Sequence, residues 1–204
     1  MKKLSLMLAG AAMLFAASVA SAQTVNVGVG LGAIYPDMPS RWGFDGKIFV
    51  NYGINKFLFL GLETGYDYVG KEVKSGSSTL GGYPITSNET MKWQTIPLLF
   101  TVKVCVPLGG AITPYGLGGI GYSWTIFDFI ADDRTFGGFT VQGLIGVDYN
   151  LGSAAANMNL FVEGGYRWAK PEAKFSGIDY EIKMYGWLIR AGVSFPIVGG
   201  SSYM

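Results

Sequence analysis

The chain has 204 residues, 50% hydrophobic and only 14% charged, with 31 glycines, 15% aromatic residues, one cysteine and no histidine. A formal net charge of +1 supplies no basic field to attract nucleic acid, and high apolar content with so little charge excludes a disordered chain. The glycines follow no three-residue period, which excludes collagen, and the missing histidine removes the commonest general base and metal ligand together.

The first element is an address. Lys2 and Lys3 precede the apolar run Leu4 to Ala20, which closes on Ala20-Ser21-Ala22 just before Gln23. A charged start, an apolar middle and small residues at the end form a secretory signal, so residues 1–22 are expected to be cleaved and 23–204 to form one domain. Small residues occupy the end where a membrane anchor would carry charge, and no cysteine follows to take a lipid. In an oxidising compartment Cys105 alone cannot close an internal disulfide, so stability must come from the fold. No later segment reaches the roughly eighteen unbroken apolar residues of a spanning helix. Two architectures remain: a membrane β-barrel, or a soluble secreted lipocalin-like β-barrel with a ligand cavity.

From Thr24 the sequence alternates with the period of a strand. Val25, Val27, Val29, Leu31 and Ala33 share one face, with Asn26, Gly28, Gly30 and Gly32 on the other. A second run sets Phe44, Ile48, Val50 and Tyr52 against Asp45, Lys47, Phe49 and Asn51. A third sets Leu58, Leu60, Leu62, Thr64, Tyr66 and Tyr68 against Phe59, Gly61, Glu63, Gly65 and Asp67. The fourth, about Thr90 to Val106, sets Ile96, Leu98, Phe100, Val102 and Val104 against Thr95, Pro97, Leu99, Thr101, Lys103 and Cys105. The fifth, about Thr113 to Phe127, is glycine-dense and points to a bulge near Gly118-Gly119. The sixth opposes Phe139, Val141, Ile145, Val147 and Tyr149 to Thr140, Gln142, Leu144 and Asp148. The seventh opposes Leu160, Val162, Tyr166 and Trp168 to Asn159, Phe161, Glu163, Gly165 and Arg167. The eighth, Tyr180 to Phe195, carries Trp187, Ile189, Ala191, Val193 and Phe195 on its apolar face, and its first half is shifted by one residue.

Connections near 53–56, 107–112 and 151–157 are short, and those near 35–41, 69–89, 128–137 and 170–178 are long, the alternation of an outer-membrane barrel with both termini in the periplasm. The expected fold is all-β: an eight-stranded antiparallel up-and-down transmembrane barrel behind a cleaved signal peptide. Ten strands would need a hairpin hidden in 69–89. Alternation does not say which face points outward, but volume does. An eight-stranded barrel has an interior just wide enough for side chains to fill, which suits glycines beside a few long charged residues. A solvent-facing wall would carry far more charge than 14%. The apolar face therefore meets lipid.

Aromatic side chains gather at strand ends. Tyr35, Trp42, Phe44, Tyr66, Tyr68, Trp93, Trp124, Trp168 and Tyr180 lie toward the long connections, and Tyr52, Phe57, Tyr115, Tyr149 and Phe195 toward the short ones. Two interfacial girdles are expected, although Tyr and Trp also favour strands for their own reasons. The polar face implies a lumen charge network of Lys47, Glu63, Asp67, Lys103, Asp148, Glu163, Arg167 and Arg190. A turn centred on Asn55 puts Lys47 directly opposite Glu63. Such charges stabilise a low-dielectric interior only when paired, so salt bridges and hydrogen-bonded water are expected to plug the barrel. A narrow ion path or gate is the functional alternative.

The run Thr95-Ile96-Pro97-Leu98-Leu99-Phe100 followed by Thr113-Pro114-Tyr115-Gly116-Leu117-Gly118-Gly119-Ile120-Gly121-Tyr122 resembles the outer-membrane β-barrel domain family. These are the small porin-like and OmpA/OmpX-like barrels of Gram-negative bacteria, Bacteroidetes among them, and the resemblance spans residues 23–204. Arg190-Ala191-Gly192-Val193-Ser194-Phe195-Pro196-Ile197 is similar to the final-strand signal read by the barrel-assembly machinery, with Gly192, Phe195 and Ile197 at its key positions. Such chains usually stop at a terminal aromatic, whereas this one has Ile197 there and continues to Met204.

Other motifs have simpler explanations. Gly116-x-Gly118-x-x-Gly121 fits a dinucleotide fingerprint literally, but Ser123-Trp124-Thr125-Ile126-Phe127 continues a strand where that fingerprint needs a helix. Asn88-Glu89-Thr90 is an incidental sequon in such a barrel. Known barrel enzymes of this membrane depend on histidine, which is absent here, and the loop aspartates Asp37, Asp132 and Asp133 read as solvated turn residues. The expectation is a monomeric non-enzyme without cofactor or metal, whose partners are outer-membrane lipid, the assembly machinery and a surface ligand met through 69–89. That loop is rich in Gly, Ser and Thr and carries Lys71, Lys74 and Tyr83. Nucleic acid is not among the partners.

Overall fold

Alternation of large apolar residues with glycine and polar residues gives every long run two unlike faces, and a sheet with one apolar and one polar face can satisfy all its backbone groups by closing on itself. The computed structural model has this form. It describes residues 24–37, 41–74, 78–80, 83–85, 88–129, 132–152, 157–175, 178–181 and 184–199, with side chains outside 71–91, 127–134, 171–185 and 198–199. The proposed signal segment, the C-terminal tail, and the side chains of Lys71, Lys74, Tyr83, Asp132, Asp133, Tyr180 and the sequon Asn88-Glu89-Thr90 lie outside that description.

The strands are β1 (Thr24–Pro36), β2 (Gly43–Gly53), β3 (Leu58–Lys74), β4 (Ser78–Leu80), β5 (Tyr83–Ile85), β6 (Asn88–Cys105), β7 (Ile112–Phe129), β8 (Asp132–Asn150), β9 (Asn159–Phe175), β10 (Ile178–Glu181) and β11 (Met184–Gly199). Neighbours run β1-β2-β3-β6-β7-β8, β8 pairs β9, β9 pairs β11, and β11 returns to β1. The result is a closed barrel of eight antiparallel strands. β4 and β5 form a small hairpin of their own, and β10 pairs only with the end of β9. The 69–89 region thus holds a hairpin, but one that adds nothing to the barrel wall.

Outward positions are apolar as expected: Leu31, Ile48, Phe100, Ile120, Ile145, Val162, Ile189 and Phe195 are all exposed. Inward positions are closed off, with Asp45, Leu99, Ser123, Thr125 and Thr140 at 0% exposure. Val25 departs from this pattern. It is buried beside a register shift at Val25/Asn26 where β1 meets β11, because an irregular pairing locally reverses which side chains face in.

Three expectations are corrected. The register of β2 against β3 pairs Phe49 with Glu63 and Lys47 with Gly65, two residues from the expected opposition and on the same face. The cause is the turn: Asn55 Oδ1 accepts from the amides of Phe57 and Leu58 at 2.8 and 2.9 Å, so the hairpin is centred beyond Asn55. No bulge interrupts Gly118-Gly119, which pair in continuous register with Val102 and Thr101 on one side and Gly143 and Gln142 on the other. The long connections are largely paired backbone. β7 and β8 stay in register to Phe129↔Asp132, and β3 and β6 to Lys74↔Asn88, while β2 follows β3 only to Tyr68. The wall of β3, β6, β7 and β8 therefore rises above the β1–β2 edge. The eighth run is divided: Tyr180 and Glu181 lie in a separate strand, β10, and the run from Met184 onward is β11. The short turns use the conformations that glycine allows, with φ of 76° at Gly109 and at Gly152.

Candidate functional site: the lumen charge network

The lumen site begins with an absence of side chains. β1 presents Gly28, Gly30 and Gly32 inward, and neighbouring strands fill the space. A Cβ at Gly28 would meet the Phe49 ring at 2.4 Å, one at Gly30 the Phe161 ring at 2.9 Å, and one at Gly32 the Ile189 carbonyl at 2.0 Å. The two phenyl rings pack edge to face with centroids 5.6 Å apart, and the Lys47 ammonium lies 4.8 and 4.9 Å from them.

Over this glycine floor lie the charges. Arg190 of β11 donates to both carboxylate oxygens of Asp45 on β2, to Glu63 Oε1 of β3 at 2.9 Å and to Glu163 Oε1 of β9 at 3.4 Å. Lys47 Nζ reaches Glu163 Oε1 at 2.5 Å and Glu63 Oε2 at 3.5 Å. Arg167 of β9 donates to Asp67 Oδ2 of β3 at 2.5 Å, lies 3.7 Å from Asp45 Oδ2, and donates twice to Gln142 Oε1 at 3.3 Å. Gln142 Nε2 donates to Glu63 Oε1 at 2.9 Å, and Tyr115 Oη to Glu163 Oε2 at 2.8 Å. Strands β3 and β9 stand on opposite sides of the ring, so these bonds cross the full lumen.

Every side chain of this cluster is buried. Removing such ions from water costs several kcal/mol each, an expense offset only where each finds several partners, and here every charge but Asp67, which is held by Arg167 alone, is shared between at least two polar groups. Nearer the short turns, Lys103 and Asp148 form a separate pair at 2.5 Å, with the ammonium 3.7 Å from the Tyr115 ring centroid. The cluster leaves a void of about 10 Å³ on the short-turn side and one of about 20 Å³ on the long-hairpin side. Each has room for about one water molecule.

All eight charged residues singled out in the sequence face the lumen, six of them in the central cluster and two as the separate pair. Asp45 and Gln142 join that cluster unanticipated. Asp45 shares the parity of Lys47, and Gln142 that of Thr140 and Asp148, so face alone was sufficient signal. Trp93 and Tyr115 are corrections: both were expected in an outer girdle, and both are buried inside. They have the parity of Thr95 and Leu117, and inward parity prevails over position at a strand end. Of the other girdle residues, Trp42, Tyr66, Tyr68, Tyr149, Trp168 and Phe195 are exposed, and Tyr35 and Trp124 are half-buried. Rings pair at Tyr35–Trp42 (5.1 Å), Tyr122–Trp124 (5.2 Å) and Tyr166–Trp168 (4.7 Å).

In the final strand Gly192 points inward, where a Cβ would meet the Val29 carbonyl at 2.1 Å and the Phe161 ring at 2.6 Å. Close packing thus accounts for Gly192, while Phe195 and Ile197 face out and β11 continues to Gly199. Asp37 accepts a 2.6 Å hydrogen bond from Tyr166 Oη. Among the described residues no cluster of three or more His, Cys, Asp or Glu could hold a metal ion, and no helix is long and apolar enough to cross a membrane.

A closed barrel with an apolar outer face and a charge-paired interior is the architecture of an outer-membrane β-barrel protein. The family model described as outer membrane protein beta-barrel domain matches residues 6–195, and the chain belongs to that family. Family membership gives it the outer membrane as its location. Among solved structures, Neisserial surface protein A (NspA) is 16% identical with a TM-score of 0.53, covering 84% of this chain and 95% of that one. A major outer membrane protein from Thermus thermophilus is 16% identical with a TM-score of 0.49, covering 85% and 99%. OprG from Pseudomonas aeruginosa is 16% identical with a TM-score of 0.45, covering 85% and 96%. At such identity the likeness is one of fold. No curated protein matches the chain.

Proposed function

We propose that the chain, exported through a signal peptide cleaved before Gln23, is a small integral barrel of a Gram-negative outer membrane with a structural or surface-interaction role and a non-conducting lumen. The observation that carries this reading is the cross-lumen network: Arg167–Asp67 and Gln142–Glu63 tie β8 and β9 to β3, and Arg190 holds three carboxylates at once. Opening a path would break several buried, charge-assisted bonds together, at a cost of several kcal/mol. The exposed aromatic residues support seating at the two lipid interfaces, and Phe195 and Ile197 fit a lipid-facing signal for the assembly machinery. The strands β3 and β6 that flank 69–89 stay paired beyond the end of the β2–β3 ladder, which suits contact of that connection with a surface partner. No catalytic role is proposed for a chain without histidine whose buried carboxylates are all committed to cations.

Conductance across a planar bilayer tests this reading. The wild-type barrel is expected to remain at baseline, and Arg190→Ala to show opening events. A stable open level in the wild type would overturn the plug and establish the narrow channel instead.

A further inference from the structure

The charged plug is covered on one side by an apolar layer. Toward the long hairpins, the next inward residue on five strands is apolar: Ile34 beyond Gly32 on β1, Val69 beyond Asp67 on β3, Trp93 beyond Thr95 on β6, Ala169 beyond Arg167 on β9 and Leu188 beyond Arg190 on β11. All five are buried. Ile34 pairs with Leu188 and Val69 with Trp93 across neighbouring strands, and these four belong to one packed apolar cluster. Gly43 of β2 gives that layer room, since a Cβ there would stand 2.5 Å from Val69 Cγ2. Ile34, Val69, Trp93 and Ala169 meet Asp67, Thr95 and Arg167 around the void of about 20 Å³, which has room for about one water molecule.

The opposite mouth is built differently. Toward the short turns the lumen carries the Lys103–Asp148 pair, whose side chains are 12% and 17% exposed, against 6% at most for the ion-paired side chains of the central cluster. Solvent therefore touches charge at the short-turn end, whereas the long-hairpin end of the cluster is roofed by side chains that offer ions no ligand. A constriction lined by apolar groups holds back water and ions by dewetting, even where its width would admit them.

We propose that the layer of Ile34, Val69, Trp93, Ala169 and Leu188 is a hydrophobic gate at the long-hairpin mouth, in series with the charged plug, a role that rests on the lumen being closed as read above. The two barriers differ in kind. Salt bridges hold the plug, so removing a charge opens it; exclusion of water holds the gate, so only a change of polarity in that layer opens it. A barrel with a broken plug still has the gate, and its openings are brief.

Single-channel recording of the full barrel in planar bilayers separates the two. Val69→Thr keeps nearly the same side-chain volume and adds a hydroxyl, while Val69→Ile adds a methylene and stays apolar. In an Arg190→Ala background, Val69→Thr should lengthen the openings about tenfold, the effect of one polar group on an apolar constriction. Val69→Ile in the same background should leave them no longer than before. Val69→Thr alone should stay at baseline, because the plug is intact. Where Arg190→Ala does not fold, Glu63→Gln, which takes one carboxylate from the same network and keeps its shape, serves as the weakened background. Open times that Val69→Thr leaves unchanged would overturn the gate, and so would equal lengthening by Thr and Ile, which would make the effect one of packing. A stable open level in the wild type would defeat plug and gate together, so the failure of each is distinguishable.

Discussion

The barrel interior has two unlike walls. On one side β1, β2, β3, β9 and β11 contribute Asp45, Lys47, Glu63, Asp67, Glu163, Arg167 and Arg190, packed over the inward glycines of β1. On the other, β6, β7 and β8 contribute Thr95, Leu99, Thr101, Leu117, Ser123, Thr125, Thr140 and Leu144, with Gln142 and the Tyr115 hydroxyl bridging into the network. Lys103 and Asp148 stand apart near the short turns. The difference follows from volume. Long charged side chains need space to lie flat and reach several partners, and glycine supplies it: the Lys47 stem runs 3.3 Å from where a Cβ would stand at Gly30, and the Arg190 stem 2.9 Å from that at Gly32. Where the facing wall keeps side chains of ordinary size, the interior closes with short hydroxyl pairs and leucine. The glycine content that marks the composition is thus partly a packing device for charge.

The comparison breaks most severely at Arg190. Replacing it with Ala leaves Asp45, Glu63 and Glu163 without their shared cation, and loss of one member of a buried pair costs about 3–5 kcal/mol. Urea unfolding of the barrel in lipid vesicles should show a loss of this size. Replacing Leu99, fully buried in the neutral wall, by Ala is expected to cost about 2–5 kcal/mol through cavity formation but to leave conductance closed. Equal conductance in the two variants would mean that charge is not what closes the lumen.

The glycine floor gives the next effect. Gly32→Ala forces a methyl to within 2.0 Å of a backbone carbonyl, which cannot give way as a side-chain tip can. Overpacking of this kind costs about 1–3 kcal/mol. Gly118, on the outer surface of the neutral wall, has nothing within 4 Å of its would-be Cβ. Gly118→Ala should therefore fall within about 0.5 kcal/mol of wild type. The pair of variants, compared by the same unfolding titration, separates glycine needed for close approach from glycine merely present in a strand.

Much of the charged wall was legible because parity is a local property. Once one residue of a strand is placed, every second neighbour is placed with it, which put Glu63, Glu163 and Arg190 inside. Register was not legible to the same degree. It depends on where a turn is centred, and the two Asn55 side-chain bonds shift that centre with no change in the pattern of either flanking strand. Trp93 shows the opposite failure, in which a preference of residue type for interfaces outweighed parity that was already available. The extent of the hairpins beyond the membrane was hidden for a different reason. Segments such as 128–137 lack the apolar alternation that marks a membrane strand, yet the described backbone of β7 and β8 continues to pair there.

A coupling smaller than the losses at Arg190 and Leu99 concerns the neutral wall alone. Ser123 Oγ and Thr140 Oγ1 are 2.6 Å apart, both at 0% exposure, in strands that pair Ser123 with Gly138 and Gly121 with Thr140. Thr140→Val removes one hydroxyl and leaves Ser123 without this side-chain partner, which should cost about 1–3 kcal/mol for an unsatisfied buried group if no water enters. Adding Ser123→Ala removes the orphan as well. The double variant should then be more stable than the sum of the two single losses implies, with a coupling of about 0.5–1.5 kcal/mol. A neutral wall held together by hydroxyl pairing requires that coupling. Strict additivity would show that the two hydroxyls merely fill space, and that the charged wall supplies the polar cohesion of the lumen by itself.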